Sequence, residues 1–260
     1  FQSFPLNSTF KSILSHDSIL SLHDFRTHPE IVAHEKHPRG FDIIDAYLKK
    51  SHGVLICDSI EYEDWAYLSR VIQAEGIAEG AIAGRINQHH CSGTLVWQLN
   101  DCWPAASWSS IDNHGKWKLL HHKLKDAFQP VLLHGDYVDQ TLNVGITANP
   151  GVFTSTVPGT LIVYLKTLDN EILHSEVVNL SVASGKTTWI SFDDLVPAGI
   201  DMNNIVAHLL WSEDDAGDVH KASDRVYFVE PGNLNLKKGS VFIERFGWSE
   251  NKYLIEISAN

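Results

Sequence analysis

The densest chemistry in this sequence lies in Trp97-Gln98-Leu99-Asn100-Asp101-Cys102-Trp103-Pro104, followed by Trp108 and Trp117. Indole rings offer flat apolar faces of the kind that pack on the C–H face of a sugar ring. Asn100 and Asp101 add donors and acceptors for hydroxyl groups. Stacking combined with polar fixing is what a saccharide pocket needs, so Trp97, Asn100, Asp101 and Trp103 are candidate sugar contacts. A tryptophan at position 97 would serve equally as core filler, and the residue types alone leave both roles open.

Other chemistries find less support. Asp101 and Asp112 could be the paired carboxylates of glycoside hydrolysis. Nothing in their spacing makes them face each other, and loop solvation or capping is the plainer role. His34-Glu35-Lys36-His37 invites a zinc assignment, but the zinc-protease motif needs histidines four apart with Glu after the first. Here they are three apart, and Pro38 stops any helix that would hold them. His89-His90-Cys91 are adjacent and point to different faces. No metal ligand set is assigned. Neither a nucleotide-binding Gly-rich loop nor a Gly-x-Ser-x-Gly elbow is present.

The candidate contacts need elements to position them. Trp65, Leu68, Ile72, Ile82 and Ile86 recur largely at helical spacing and predict a helix over Asp64–Ile86. Gly76, Gly80 and Gly84 give it a smooth stripe suited to close packing on a sheet, while Glu75, Glu79 and Arg85 exclude a lipid setting. Thr94–Leu99 reads as a strand buried on both faces, with Trp97 near its end. Trp117, Leu120, Leu124 and Phe128 predict a helix over Lys116–Phe128, stopped by Pro130. Helix, strand, loop, helix predicts consecutive units of a parallel α/β structure. From Val131 the period changes to two. Strands are expected near Val131 and at Leu142–Ala148, Leu161–Leu168, Ile172–Val182, Thr187–Phe192, Ile205–Trp211 and Arg225–Val229. That count suits an immunoglobulin-like sandwich. Beyond Pro231-Gly232, Ser240–Phe246 and Lys252–Ser258 predict two further strands, marginal by themselves.

Composition narrows the partners. Twenty Lys and Arg against 32 Asp and Glu give a net charge of −12, which disfavours nucleic acid. No apolar run reaches the ~18 residues of a membrane-spanning helix. With 43% hydrophobic and 20% charged residues, disordered and fibrous classes are excluded. Three cysteines, Cys57, Cys91 and Cys102, are too few for a disulfide framework. Met202 is the only methionine, so Phe1 is expected to be a processed end or an internal position of a longer chain.

The stretch from Gly93 to Asp112, through Trp97-Gln98-Leu99-Asn100-Asp101-Cys102-Trp103-Pro104, resembles the eighth barrel strand and following loop of β-mannosidases of glycoside hydrolase family 2. Gly115-Lys116-Trp117-Lys118-Leu119-Leu120-His121-His122 continues the likeness into the last barrel helix. His34 to Gly40 and Gln73-Ala74-Glu75-Gly76-Ile77 are similar to the same enzymes. Phe1-Gln2-Ser3-Phe4-Pro5 is similar to the segment that follows the family's catalytic nucleophile.

The resemblance implies an incomplete (β/α)8 TIM barrel over residues 1–128, an immunoglobulin-like β-sandwich over 129–230 and the start of a second, truncated β domain over 231–260. It implies a retaining, exo-acting β-mannosidase in which Trp97 stacks on the non-reducing mannose while Asn100, Asp101 and Trp103 line the mouth. The nucleophile and general acid are expected upstream of Phe1, so no catalytic residue is assigned and the chain alone is expected to be inactive and poorly stable. No cofactor is expected, because carboxylate-driven hydrolysis uses side chains and water. The implied partners are a β-mannoside oligosaccharide or glycan and the N-terminal part of the same enzyme, with no nucleic acid and no membrane. Two other readings stay open: a non-catalytic carbohydrate-binding or structural sandwich module, and a related exo-β-glucosaminidase or β-galactosidase.

Overall fold

Apolar side chains spaced three or four apart wind into helices over the first half of the computed structural model, which describes residues 2–12, 14, 21–53, 60–214, 221–239, 241–249 and 252–259. Phe1, Cys57 and Ser240, singled out above, lie outside the described residues. The helices are α1 (Asn7–Phe10), α2 (Leu22–Thr27), α3 (Pro29–Ala33), α4 (Gly40–His52), α5 (Tyr62–Ile86) and α6 (Leu119–Ala127). Local chemistry sets their ends. Ser21 caps α2 by accepting the Asp24 N–H, Pro29 opens α3, and Gly53 closes α4 in the left-handed region. Glu63 and Asp64 in the first turn of α5 complement its dipole.

The buried face of α5 carries Trp65, Ala66, Ile72 and Ala78. Trp65 joins Phe4, Phe10, Phe25 and Phe41 in one aromatic core, with the Phe4 and Trp65 ring centroids 5.3 Å apart. α5 and α6 lie side by side. Arg85, near the end of α5, donates to the carbonyls of Ala127 (2.7 Å) and Gln129 (2.6 Å) and so caps α6. At Gly80 and Gly84 the glycine stripe meets no sheet. A Cβ at Gly84 would run into the Thr94 side chain, whereas Gly80 has nothing within 4 Å.

The strand expected at Thr94–Leu99 is the clearest correction. This segment is extended but belongs to no strand, and Leu95 is fully exposed rather than buried. A strand needs a ladder partner, and among the described residues Thr94–Trp97 have none. Only Gln98 and Leu99 find one, their carbonyls accepting the Ser110 and Ile111 N–H groups at 3.0 and 2.9 Å.

From Val131 onward alternation takes over. β1 (Val131–Val138), β2 (Thr141–Ala148), β3 (Val157–Thr167), β4 (Ile172–Val182), β5 (Thr187–Asp193), β6 (Ile205–Glu213) and β7 (Lys221–Tyr227) form two antiparallel sheets, ordered β1-β2-β5 and β4-β3-β6-β7. The inward rows of both, including Leu142, Val144, Ile146, Leu161, Val163, Leu209 and Trp211, share one core. The β1–β2 turn places Asp139 and Gln140 at positive φ, the twist that a two-residue hairpin turn requires. The two sheets approach closely where β1 meets β7. A Cβ at Gly135 would strike Val226, and the Asp224 carboxylate accepts the Gly135 N–H at 2.9 Å. Among the described residues, β8 (Val241–Ser249) and β9 (Lys252–Ala259) pair only with each other. Between β7 and β8, a short turn at Pro231–Asn233 sets Gly232 against the last turn of α4, where any Cβ would collide with the His52 carbonyl.

The chain is thus a helical half followed by antiparallel sheets. They meet at the C-terminal end of α5, where Thr187 Oγ1 donates to the Ile86 carbonyl (2.7 Å) and Gln88 Nε2 to that of Ala148 (3.3 Å).

Candidate functional site

The loop from Trp97 to Lys118 carries three serines and four tryptophans besides its charged residues, and hydrogen bonds hold much of it in place. Backbone pairing does part of this. Ser3 and Ser107 exchange N–H···O bonds of 2.9 and 3.0 Å, and Ala106 N–H donates to the His34 carbonyl at 3.0 Å. Three segments far apart in sequence are thereby drawn together: Gln2–Phe4, His34–Lys36 and the loop.

Asp101 is their polar centre. Its side chain is fully buried. Oδ2 accepts from Ser107 Oγ (2.6 Å) and Ser109 Oγ (2.5 Å), and Oδ1 from Gln98 Nε2 (3.2 Å) and Lys36 Nζ (3.3 Å). Lys118, just before α6, lies on the inner side with its ammonium 3.9 Å from Oδ2 and no exposure. It donates to the Ser3 carbonyl (3.3 Å), Ser3 Oγ (3.5 Å) and Ser107 Oγ (3.5 Å). Burial pushes the Lys118 pKa down to about 8, against the opposing pull of Asp101 and Asp112. Gln73 of α5 closes the network, accepting from Ser3 Oγ at 2.6 Å and donating to the Ser107 carbonyl at 3.2 Å.

The candidate sugar contacts divide around this centre. Trp97, at a cis peptide with Gln98, is 75% exposed, and Trp103 is 42% exposed. Trp103 is stacked on His34, with ring centroids 4.5 Å apart and planes at 30°. The His34 Nδ1 lies 2.5 Å from the Pro104 carbonyl, to which it donates. Asn100 is exposed, with Nδ2 donating to the Asp101 carbonyl at 3.3 Å. Asp101 alone of the four turns inward, and its carboxylate is spent within the protein. Asp112 is also buried, accepting from Thr9 Oγ1 (2.6 Å) and from the N–H groups of His114 and Lys116, so it holds the turn.

Sequence reasoning passed over three charged groups at this site. Lys36 and Lys118 flank Asp101, and Glu35 lies beside them, its pKa raised by burial although the Phe41 N–H donates to it at 3.0 Å. The spacing of His34-Glu35-Lys36-His37 by itself suggests only a metal motif. Its signal was the resemblance of His34–Gly40 to the same enzymes as the tryptophan loop. Among the described residues no group of three His, Cys, Asp or Glu side chains is arranged to hold a metal ion. Beyond the mouth, Leu95, Leu99, Trp117, Leu124 and Phe128 line an open apolar groove of about 410 Å³ along α6.

No protein-family model matches the chain. Among curated proteins it is similar to the β-mannosidase of Mus musculus, at 32% identity in an alignment of 153 positions, gaps included, that covers 51% of this chain and 16% of that protein. It is also similar to β-mannosidase B of Emericella nidulans, at 23% identity in an alignment of 278 positions, gaps included, that covers 99% of this chain and 31% of that protein. Among solved structures, the β-D-mannosidase of Dictyoglomus thermophilum superposes over 99% of this chain and 30% of its own, with a TM-score of 0.78 at 22% identity. An exo-chitosanase of Amycolatopsis orientalis gives a TM-score of 0.68 at 15% identity, over 96% of this chain and 32% of its own. The chain therefore spans a third or less of the length of these relatives.

Proposed function

We propose that this relative of the β-mannosidases is a portion of a retaining, exo-acting glycoside hydrolase of family 2 that removes terminal, non-reducing β-D-mannose residues. The observation that carries this reading is the similarity to β-mannosidase B along 99% of the chain. In this reading residues 1–128 are the last units of a (β/α)8 barrel, residues 129–230 an immunoglobulin-like sandwich and residues 231–260 the start of a further β domain. The side-by-side α5 and α6, the two sheets on one core and the separate β8–β9 hairpin support that division.

The chain supplies one wall of the sugar pocket. Trp97 offers its exposed face to the C–H side of the mannose, Trp103 on its His34 backing forms the neighbouring wall, and Asn100 presents an amide to a hydroxyl. Asp101 serves the site from beneath by fixing the loop, since its oxygens already accept four hydrogen bonds. The nucleophile and general acid are assigned to no residue of this chain. Its partners are a β-mannoside oligosaccharide or glycan and the remainder of the enzyme.

The test is a chimera in which residues 1–260 replace the matching third of the Emericella nidulans enzyme. It is expected to release nitrophenol from p-nitrophenyl β-D-mannoside, which the purified chain alone does not. Trp97→Ala in the chimera is expected to lower kcat/KM by roughly a hundredfold, the scale of a lost positioning contact. A folded chimera that cleaves only the β-glucosaminide, or one indifferent to Trp97→Ala, overturns the reading.

A further inference from the structure

Lys118 stands out because nothing in sugar binding requires a cation beneath the mouth, and burying one is costly. Its side chain has no exposure, and its ammonium faces Ser3 from the N-terminal segment, Ser107 and Asp101 from the loop, and the charges of Asp112, Arg70 and Lys36 from farther off. Asp101 does not need Lys118 as a donor: Ser107, Ser109, Gln98 and Lys36 already serve both oxygens, and 3.9 Å is too long for a hydrogen bond. What Lys118 supplies there is charge, on the side facing away from solvent. Lys36 is the counterion on the outer side, 3.3 Å from Oδ1.

We propose that Lys118 is a positioning residue of the saccharide mouth, acting through the Asp101 carboxylate to hold Trp97–Trp103 against Gln2–Phe4 and His34–Lys36. The proposal rests on the saccharide reading of that mouth for its function, though not for its geometry. Asp101 accepts from Gln98 before it, Ser107 and Ser109 after it, and Lys36 across from it, and Ser107 in turn exchanges backbone bonds with Ser3 of the N-terminal segment. Trp103 follows Asp101 by two residues and rests on His34, which precedes Lys36 by two. Loss of the inner charge leaves the carboxylate pulled toward Lys36 and shifts the loop between the two aromatic rings.

A positioning role and a purely structural one have opposite pH signatures. The Lys118 pKa is lowered from 10.5 to about 8, so the native state binds fewer protons than the unfolded chain between those values. Stability from this group therefore rises as pH climbs from 8 toward 10.5, because the burial cost of the ammonium is relieved. Positioning of the mouth weakens over the same interval, because Asp101 loses its inner counterion.

The experiment follows the indole N–H resonances of Trp97 and Trp103 in the ¹⁵N-labelled 260-residue chain from pH 6.5 to 10, with Cys102→Ser in every sample so that the neighbouring thiol contributes nothing. Both resonances are expected to move together with a midpoint near 8. In Lys118→Met the step is absent and the signals sit at their high-pH positions throughout. Should that variant fail to fold, Lys118→Met/Asp101→Asn removes both charges together, and again no step is expected. Affinity for methyl β-D-mannopyranoside, titrated in parallel on the chimera with the Emericella nidulans enzyme, is expected to fall roughly tenfold across the step, a modest cost for misplaced contacts. A parent chain without the step, or a step that survives in either variant, overturns the proposal. Failure of the chimera to bind the mannoside at pH 7, with the step present in the chain, instead defeats the saccharide reading and leaves the Lys118–Asp101 arrangement standing.

Discussion

In the sheet half, Leu142, Val144 and Ile146 of β2 face Leu161, Val163, Leu209 and Trp211 across one apolar interior, and the alternation of each strand matches the face it buries. In the helical half, the segment bearing Trp97 is held by Asp101, Lys118, Lys36 and a set of serines, while Leu95, Trp97 and Leu99 face solvent. Apolar burial is non-directional and tolerates adjustment; a buried ion pair with fixed donors does not. The first half can therefore present exposed aromatics in a defined place, and the second can close around its own side chains.

Asp101→Ala should hurt most. It strands the Lys118 ammonium without its nearest counterion and removes an acceptor from Ser107, Ser109 and Gln98, at a cost of about 3–5 kcal/mol. Denaturant unfolding monitored at helical wavelengths measures the loss, and retention of the native midpoint would mean the polar centre holds nothing. Leu161→Ala in β3 comes next, with a cavity cost of about 2–5 kcal/mol. Denaturant unfolding followed by the fluorescence of buried Trp211 measures it, and an unchanged midpoint would show that the apolar interior tolerates the cavity.

Asp224 gives a smaller, pH-dependent effect. Burial raises its pKa above 3.8, despite the N–H groups of Gly135 and Arg225 and the nearby His134. The native state thus holds the proton more tightly, and this group's contribution to stability falls as pH rises from the unfolded value through the raised one. Asp224→Asn keeps an acceptor for the Gly135 N–H and is expected to abolish that slope; thermal melts between pH 4 and 7 decide it. Least of all, Leu99→Ser should leave the melting temperature unchanged while reducing concentration-dependent association, because Leu99 is 62% exposed in the apolar groove.

Periodicity located the long elements well. The helix expected over Asp64–Ile86 runs from Tyr62 to Ile86, and the strand expected at Ile172–Val182 has those same limits. It failed at Thr94–Leu99, where an apolar run looked like a strand although strand structure depends on neighbours that local sequence does not supply. The tryptophans of the mouth were legible because their chemistry is local to each ring. The role of Asp101 was not. Its partners Lys36 and Lys118 lie 65 residues before and 17 after it, and an aspartate among asparagine and serine reads as a solvated turn. The glycine stripe of α5 misled for the opposite reason: smoothness permits close packing without specifying what arrives, and at Gly84 the arrivals are the side chains of Thr94 and Cys91.

α5 has a mechanical consequence. At 25 residues it is a rod of roughly 37 Å, stiff on the scale of side-chain motion. Its far end is gripped by the sheets through Ile86 and bolted to α6 through Arg85, and Gln73 at its middle is bonded to Ser3 and Ser107 beneath the mouth. Gln73 and Arg85 are 12 residues apart, a lever arm of roughly 18 Å. A tilt of the sheets by a few degrees is therefore delivered to the floor of the mouth as a displacement of about an ångström, enough to alter a stacking contact. The sheet half, which contributes no residue to the candidate site, acts as the datum from which the position of Trp97 is measured.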